Sequence, residues 1–258
     1  NNYGQTATEL VQLTVSEAIR IGFTTATSQG AENQTTVALA ISLNKVSTET
    51  TQVTYNITGG TATTDGTDAQ LTHGAGTLNI PDGETTGTVE LTVNDDALDE
   101  DDETVIITLT SPVNGFLSDN DTHTYTILDD DPEPSVGFTT PTQSVGEDAV
   151  TATAQVALST VSGRDVTVNV SDGGGTATGG GVDWSLGALP VTIPAGSTSG
   201  DVTVNITNDV ASDPGESFVL QLSGLINAQL GGTDEHTVTI IDDEAANHAP
   251  APQDDRMS

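Results

Sequence analysis

Apolar and polar residues alternate along most of the chain, with a period of two. Between Val37 and Leu43 every second position is Val, Leu or Ile, and the same rule holds for Val89–Val93 and Val202–Ile206. A period of two directs alternate side chains to one face of an extended strand, whereas a helix needs a period near 3.6. Each such run therefore predicts a strand that buries its apolar face and exposes Thr or Asn on the other.

Turn residues separate these runs, and the runs fall into two similar halves of the chain. About seven short strands are predicted in each half, which is typical of an antiparallel sandwich. We therefore predict an all-β fold of two tandem immunoglobulin-like antiparallel β-sandwiches. The predicted parts are an N-terminal strand-like segment at 1–17, a first domain at 18–131, a second domain at 132–244 and an extended tail at 245–258. Pro132 and Pro134 predict a stiff junction between the domains.

Acidic residues recur at matched positions in the two halves. Phe23, Glu32 and Asp68 recur 115 residues later as Phe138, Glu147 and Asp183. Further along, a spacing of 113 residues relates Asp96, Glu100, Glu103, Asp129 and Asp130 to Asp209, Asp213, Glu216, Asp242 and Asp243. Solubility alone does not fix where charges lie within a repeat. Acids kept in register therefore indicate a site.

Strand direction predicts that these acids converge at one end of each sandwich. In an up-and-down antiparallel arrangement, the turns after the first, third and fifth strands lie at the end where the last strand finishes. The candidate ligands of the first half are Glu32, Asp68, Asp95, Asp96, Glu100, Glu103, Asp129, Asp130 and Asp131. Those of the second half are Glu147, Asp183, Asp209, Asp213, Glu216, Asp242, Asp243 and Glu244, with Asn208 in place of Asp95.

Carboxylate oxygens in this number predict a calcium site. Ca²⁺ takes about 6 to 8 oxygen ligands with flexible geometry, whereas Mg²⁺ uses fewer carboxylates and retains its waters. The candidates exceed what one ion needs, so two or more Ca²⁺ ions per end are expected. The alternative is that the acid runs are solvated turns of a very acidic protein.

Composition narrows the range of partners. The chain has 4 Lys and Arg residues against 38 Asp and Glu residues, a formal net charge of −34. Nucleic acids and anionic membranes both require a basic surface, so neither is an expected partner. No run of about 18 apolar residues occurs, so no membrane insertion is predicted. The negative electrostatic field of the chain attracts cations, so calcium ions are expected partners. Other copies of the chain or neighbouring repeats are further possible partners.

Three segments in each half resemble the Calx-beta domain, a family named for sodium–calcium exchangers and common in bacterial surface proteins. They are Thr61–Asp68, Asn94–Glu103 and Ile127–Asp131, then Thr176–Trp184, Asn208–Phe218 and Ile240–Glu244. Trp184 and Phe218 match the aromatic positions of the family pattern, whereas Ala69 and Val105 depart from it. The resemblance implies an immunoglobulin-like sandwich that binds calcium where the last strand ends.

The leading functional hypothesis is a calcium-binding, non-catalytic structural module of an extracellular or cell-surface protein, such as an adhesin stalk or a matrix component. The alternative is a self-assembling extracellular filament subunit. In that hypothesis the segment with Leu10, Leu13 and Val15 pairs with an open sheet edge of a neighbour. The same segment could instead fold back or complete an absent upstream repeat. An enzyme is the third hypothesis, and no nucleophile elbow, phosphate loop or zinc-binding motif supports it. The four histidines lack metal spacing and are expected at the surface or at strand edges.

Overall fold

The computed structural model describes residues 17–64, 68–72, 74–210 and 215–243. The strand predicted around Leu10–Val15, the tail at 245–258 and the candidate ligands Asp213 and Glu244 lie outside these residues. Contacts divide the chain into two compact units that follow the two copies of the repeat, except that residues 97–101 and 129–131 group with the second unit. We assign Glu100, Asp129 and Asp131 to the site of the first unit, because they lie between or directly after its strands. Within the described ranges, no helix has the length and apolar character of a membrane span.

The first unit is a sandwich of two five-stranded sheets. Its strands are β1 (Arg20–Phe23), β2 (Thr27–Ala31), β3 (Thr36–Leu43), β4 (Thr51–Gly60), β5 (Ala69–Leu71), β6 (Gly76–Ile80), β7 (Thr86–Val93), β8 (Glu103–Val113), β9 (Phe116–Leu117) and β10 (Thr122–Leu128). One sheet has the order β5-β7-β3-β1-β9, and the facing sheet has the order β2-β10-β8-β4-β6.

The second unit has the same topology. Its strands are β11 (Ser135–Phe138), β12 (Thr142–Gly146), β13 (Thr151–Leu158), β14 (Val166–Gly175), β15 (Trp184–Leu186), β16 (Val191–Ile193), β17 (Ser199–Ile206), β18 (Glu216–Ile226), β19 (Gln229–Leu230) and β20 (Glu235–Ile241), with a 3₁₀ turn at Glu147–Ala149. The sheets have the orders β15-β17-β13-β11-β19 and β12-β20-β18-β14-β16. The prediction of an all-β fold with two tandem sandwiches is confirmed.

The predicted first strand of each sandwich is divided between the two sheets. In the first unit, β1 pairs antiparallel with β3, whereas β2 pairs parallel with β10. In the second unit, β11 and β12 divide in the same way on either side of Pro141. The matching residue of the first unit is Ala26, so the division does not require a proline. Together with other short pieces, this division gives ten strands among the described residues of each unit, instead of about seven.

The alternation of apolar and polar residues in the sequence matches the alternation of buried and exposed side chains in the strands. In β3, the apolar positions from Val37 to Leu43 are buried, and the residues between them are exposed or half-buried. The same pattern recurs in β13, so that the apolar faces of the two sheets in each unit form one core. The predicted strand faces are therefore confirmed.

Two histidines contradict the expectation of surface or edge roles. His123 on β10 and His236 on β20 are buried, and their rings lie 5.3 Å and 5.2 Å from those of Phe23 and Phe138. The His123 Nδ1 lies 2.8 Å from the carbonyl oxygen of Thr25, at the point where the first strand changes sheets. The hydrogen bond and the aromatic contact make an interior position acceptable for a polar ring.

Candidate metal centre

The candidate ligands of the first unit come from loops that meet at the end of β10. The backbone N–H of Glu32, just after β2, donates to the carbonyl oxygen of Leu128 at 3.0 Å. The N–H of Asn94, just after β7, donates to the carbonyl oxygen of Asp68 at 2.9 Å. These two bonds involve four segments, and each bond joins two that are far apart in sequence. We refer to this end of the unit as the first acidic pole.

A glycine shapes the loop that carries Asp68. Gly60 ends β4 with a φ of 125°, and a Cβ atom there would lie 2.0 Å from the carbonyl oxygen of Thr104. That carbonyl accepts hydrogen bonds from Thr61 and Ala62 at 2.9 and 3.1 Å, which turns the chain sharply over β8. A side chain would block this approach, so glycine is required. Gly175 occupies the matching position beside Ser217 in the second unit.

The first carboxylate cluster consists of Glu32, Asp129 and Asp131. Each residue offers an oxygen, and the three oxygens lie within 4.8 Å of one another. Glu32 is only 7% exposed. Its Oε1 accepts a hydrogen bond of 2.9 Å from the backbone N–H of Asp96, which fixes its orientation. A buried charge oriented toward two other acids is a costly arrangement unless a cation compensates it.

The second cluster consists of Asp68, Glu100 and Glu103. Their oxygens also lie within 4.8 Å of one another, and all three residues are half-buried. The Asp68 carboxylate accepts hydrogen bonds from the backbone N–H and the hydroxyl of Thr63. The carboxylate is therefore oriented by two neutral donors.

Burial and neighbouring acids raise the pKa of the Asp129 carboxyl above its ordinary value. Burial is the largest cause, and the charges of Asp99 and Asp131 raise the pKa as well. Hydrogen bonds from the backbone of Glu100 and Asp131 act in the opposite direction. A divalent cation beside Asp129 would favour the ionised form. The donor set of the two clusters is entirely carboxylate, which is the chemistry that Ca²⁺ requires, so the residues fit this ion.

Asp95, Asp96 and Asp130 were also predicted as ligands and belong to neither cluster. All three are exposed at the same pole. Asp96 contributes its backbone N–H to Glu32 and so helps to position the first cluster. The remaining predicted residues of this unit are the six that form the two clusters.

The second unit builds its acidic pole on the same hydrogen bonds. Glu147 is 8% exposed, and its Oε1 accepts from the backbone N–H of Asp209 at 3.0 Å. The Asp183 carboxylate accepts from the N–H of Thr178, and the Asp183 carbonyl accepts from the N–H of Thr207 at 2.8 Å. Among the described residues of this unit, no three carboxylates converge within 4.8 Å. Its remaining described candidates are Glu216 at the start of β18 and Asp242 and Asp243 after β20.

Asp99 has a role that the sequence analysis did not predict. Its side chain is 2% exposed and forms an ion pair with Arg164, whose Nε donates to Oδ2 at 3.2 Å. Ser162 also donates its hydroxyl to the same oxygen at 3.1 Å. One feature of the sequence does distinguish Asp99 from the candidate ligands. No acid recurs at its matching position in the second half, because the residue 113 positions later is Ser212. Asp99 is therefore satisfied by protein groups and is not part of the candidate ligand set.

The sequence matches the Calx-beta domain family model twice, at residues 16–131 and 129–244. The chain belongs to the Calx-beta domain family. Calx-beta domains are calcium-binding modules, so the chain carries two such modules in tandem and Ca²⁺ is their ion. The resemblance predicted from the sequence is confirmed.

Solved structures of Calx-beta domains are similar to parts of the chain. The CBD12 structure from CALX1.2 is 19% identical, with a TM-score of 0.42, and covers 86% of this chain and 99% of that one. The apo-form Calx CBD1 domain is 30% identical, with a TM-score of 0.41, and covers 45% of this chain and 100% of that one. No curated protein sequence matches the chain.

Proposed function

We propose that the chain is a calcium-rigidified, non-catalytic structural module of an extracellular or cell-surface protein, such as an adhesin stalk or a matrix component. The observation that carries the proposal is the convergence of Glu32, Asp129 and Asp131 at the first acidic pole. These residues follow β2 and β10, strands that already pair in one sheet. An ion held by all three would fasten the loops beyond the paired strands.

Each cluster of the first pole would hold one ion in this proposal. Glu32, Asp129 and Asp131 would bind the first, and Asp68, Glu100 and Glu103 would bind the second. The exposed Asp95, Asp96 and Asp130 would complete the coordination or bind through water. Without ions, the six clustered charges repel one another and loosen the pole. With ions, the same charges become ligands, and the pole is stiffened.

The proposed location follows from the kind of site. Three half-buried or buried carboxylates per ion, from separate loops, are expected to bind less tightly than a dedicated cytosolic buffer loop. Extracellular calcium modules work with dissociation constants of about 10⁻⁴ to 10⁻³ M, where the ion is abundant. The net charge of −34 also favours a setting in which divalent cations are plentiful.

Calorimetry of the whole chain with calcium and with chelator tests the proposal. A ligand that binds only the folded state stabilises it, by about 2.7 kcal/mol at a free concentration 100 times the dissociation constant. We expect chelation to lower the melting temperature of the first unit and Asp129→Asn to reduce that shift. Asp82→Asn, the same change of charge at an exposed position away from the pole, is the control. Identical melting with and without chelator would overturn the proposal.

The second candidate function is a self-assembling extracellular filament subunit. The observation that favours it is the apolar spacing of Leu10, Leu13 and Val15, which lie outside the described residues. Each edge strand in the described part of the first unit is five residues or shorter, so a donated strand would gain few main-chain hydrogen bonds there. Electron microscopy of the full chain and of a variant lacking residues 1–17 separates the candidates. Filaments formed by the full chain but not by the shortened variant would favour the filament subunit over the adhesin stalk.

A further inference from the structure

A short turn of the second unit serves as a platform for another segment of chain. The turn is Ser162–Arg164, and the segment that it holds is 97–101, which packs as part of this unit. The backbone N–H of Gly163 donates to the carbonyl oxygen of Asp99 at 3.0 Å. The Arg164 guanidinium and the Ser162 hydroxyl bind the Asp99 side chain. A backbone hydrogen bond and an ion pair together therefore hold the segment on the turn.

The first unit contains the same turn, built from Ser47, Thr48 and Glu49. The N–H of Glu49 donates to the Ser47 hydroxyl at 3.2 Å, as the N–H of Arg164 donates to the Ser162 hydroxyl at 3.0 Å. The Ser47 carbonyl accepts from the N–H of Gly83 at 3.0 Å, matching a bond of 2.9 Å from Gly196 to the Ser162 carbonyl. The two turns therefore share one internal geometry.

The two turns differ in charge and in exposure. Glu49 stands where the second unit has Arg164, so the sign of the central charge is reversed. Val46, just before the turn, is 58% exposed, whereas the matching Val161 is half-buried. The first turn thus has the backbone of a platform but presents an acid and an uncovered apolar side chain.

Further apolar residues extend this surface. Asn114 donates its side-chain amide to the carbonyl oxygen of Thr50 at 2.9 Å, which places the loop between β8 and β9 at the same end of the unit. Two residues of that loop region, Val113 and Phe116, are 48% and 63% exposed. The chain has only 4 Phe residues, so an exposed one is a notable contribution to a surface.

We propose that this end face, formed by Val46, Ser47–Glu49, Val113 and Phe116, is a docking surface for a loop of another protein that carries Lys or Arg. The basic side chain would pair with Glu49, as Asp99 pairs with Arg164 in the second unit. A backbone carbonyl of the loop would accept from the N–H of Thr48, the counterpart of Gly163. The apolar residues would surround the contact and exclude water from it.

The charge of the chain favours a different protein over a second copy. Three of its four basic residues already have partners: Arg20 donates to the carbonyl oxygen of Leu117, Lys45 to that of Glu17, and Arg164 binds Asp99, whereas Arg256 lies outside the described residues. A second copy therefore brings mainly acids to Glu49, and like charges oppose the contact. This inference does not depend on calcium binding, because the face lies outside the carboxylate clusters.

Residue-resolved NMR with two cyclic peptides tests the docking surface. Both peptides span 94–103, the segment around Asp99, and one carries Asp99→Arg. Both remain net acidic, so non-specific attraction to the acidic chain does not contribute. We expect the Asp99→Arg peptide to shift the amide signals of residues 46–50 of the full chain. Glu49→Arg, a change at an exposed position, should weaken that binding about tenfold and create a preference for the unmodified peptide.

Three outcomes would overturn the proposal. The first is that the Asp99→Arg peptide shifts no amide of residues 46–50 at saturating concentration. The second is that wild type and Glu49→Arg respond equally to both peptides, which would show that Glu49 does not select the partner. The third is concentration-dependent self-association of the chain that Glu49→Arg abolishes, which would assign the face to a second copy.

Discussion

The two units share a topology but fill their cores with different side chains. In the second unit, Trp184 stacks on Phe218 with ring centroids 4.0 Å apart and planes 8° from parallel. The matching residues of the first unit are Ala69 and Val105, and the bulk is supplied instead by Tyr125, where the second unit has Val238. The volume of a core can therefore be redistributed within one fold while the strands keep their register.

The backbone hydrogen bonds that position the acidic residues differ less between the units than the cores do, although three carboxylates converge only at the first acidic pole among the described residues. Glu32 accepts a hydrogen bond from the backbone N–H of Asp96, which follows β7. Glu147 accepts the matching bond from Asp209, which follows β17. Asp68 and Asp183 each accept a backbone N–H from the residue five positions before them. The same backbone hydrogen bonds thus position these two acids in each unit, whereas the core is set only by total volume and shape.

Removing the aromatic stack should have the largest effect on this comparison. Trp184→Ala deletes a buried side chain that is 2% exposed and leaves Phe218 without its partner. Truncation of a buried aromatic residue costs about 3–5 kcal/mol. We expect the second unit to melt much earlier and the first to be unchanged in calorimetry. Equal destabilisation of both units would contradict the independence of the two cores.

A small-to-large change in the first unit should have the next largest effect. A Cβ at Gly30 would lie 2.3 Å from the Tyr125 hydroxyl, whereas the second unit has Val145 at the position of Gly30 and Val238 at that of Tyr125. Gly30→Val should therefore destabilise the first unit by about 1–3 kcal/mol through overpacking.

The double variant Gly30→Val with Tyr125→Val reproduces the pair found in the second unit. We expect it to recover part of the lost stability, measured as the free energy of unfolding in urea. A double variant less stable than both single variants would contradict the comparison of the cores. It would show that a smaller residue at position 125 does not make room for a larger one at position 30.

Neutralising the buried acid of each pole should give a smaller, calcium-dependent effect. Glu32→Gln keeps an acceptor for the Asp96 N–H but removes the charge from the first cluster. A tenfold loss of calcium affinity lowers the stability at saturating calcium by about 1.4 kcal/mol. Glu147→Gln is the matched change in the second unit. Calorimetry in chelator is the control, because there the loss should disappear or reverse, since each variant removes one of the repelling charges.

Relief of backbone strain should give the smallest effect. Val150, in the loop after Glu147, has a φ of 64°, which is unfavourable for a β-branched residue. The matching Thr35 does not have a positive φ. Val150→Gly should therefore stabilise the second unit by about 1 kcal/mol, whereas Thr35→Gly should not stabilise the first. Denaturant titration of both variants measures the difference, and equal gains would argue against strain at Val150.

Periodicity and turn order sufficed to predict much of the fold and part of the site. The alternation from Val37 to Leu43 identified an inner face because one side of the strand is buried along its whole length. The strand β2 (Thr27–Ala31) has no such alternation, because it is an edge strand with no fully buried residue. A division of one strand between two sheets was therefore not visible in the pattern.

The unpredicted parts of the site depend on contacts between distant residues. Asp99 lies among acids of the same type, and only its ion pair with Arg164 distinguishes it from the candidate ligands. His123 is buried because its ring meets Phe23 and the carbonyl of Thr25, about 100 residues earlier in the chain. Neither contact leaves a local signal, since the residues involved follow no common period.

The aromatic stack also has an optical consequence. The chain contains 1 Trp, so emission excited at the red edge of the absorption band comes from Trp184 alone. That indole is buried against Phe218 and follows Asp183, a candidate ligand of the second acidic pole. The wild-type protein therefore carries a fluorescent reporter of one unit and none of the other. Tryptophan fluorescence follows a calcium titration of the second unit, whereas calorimetry follows both units. Recording both would separate the calcium titration curves of the two similar modules without any label.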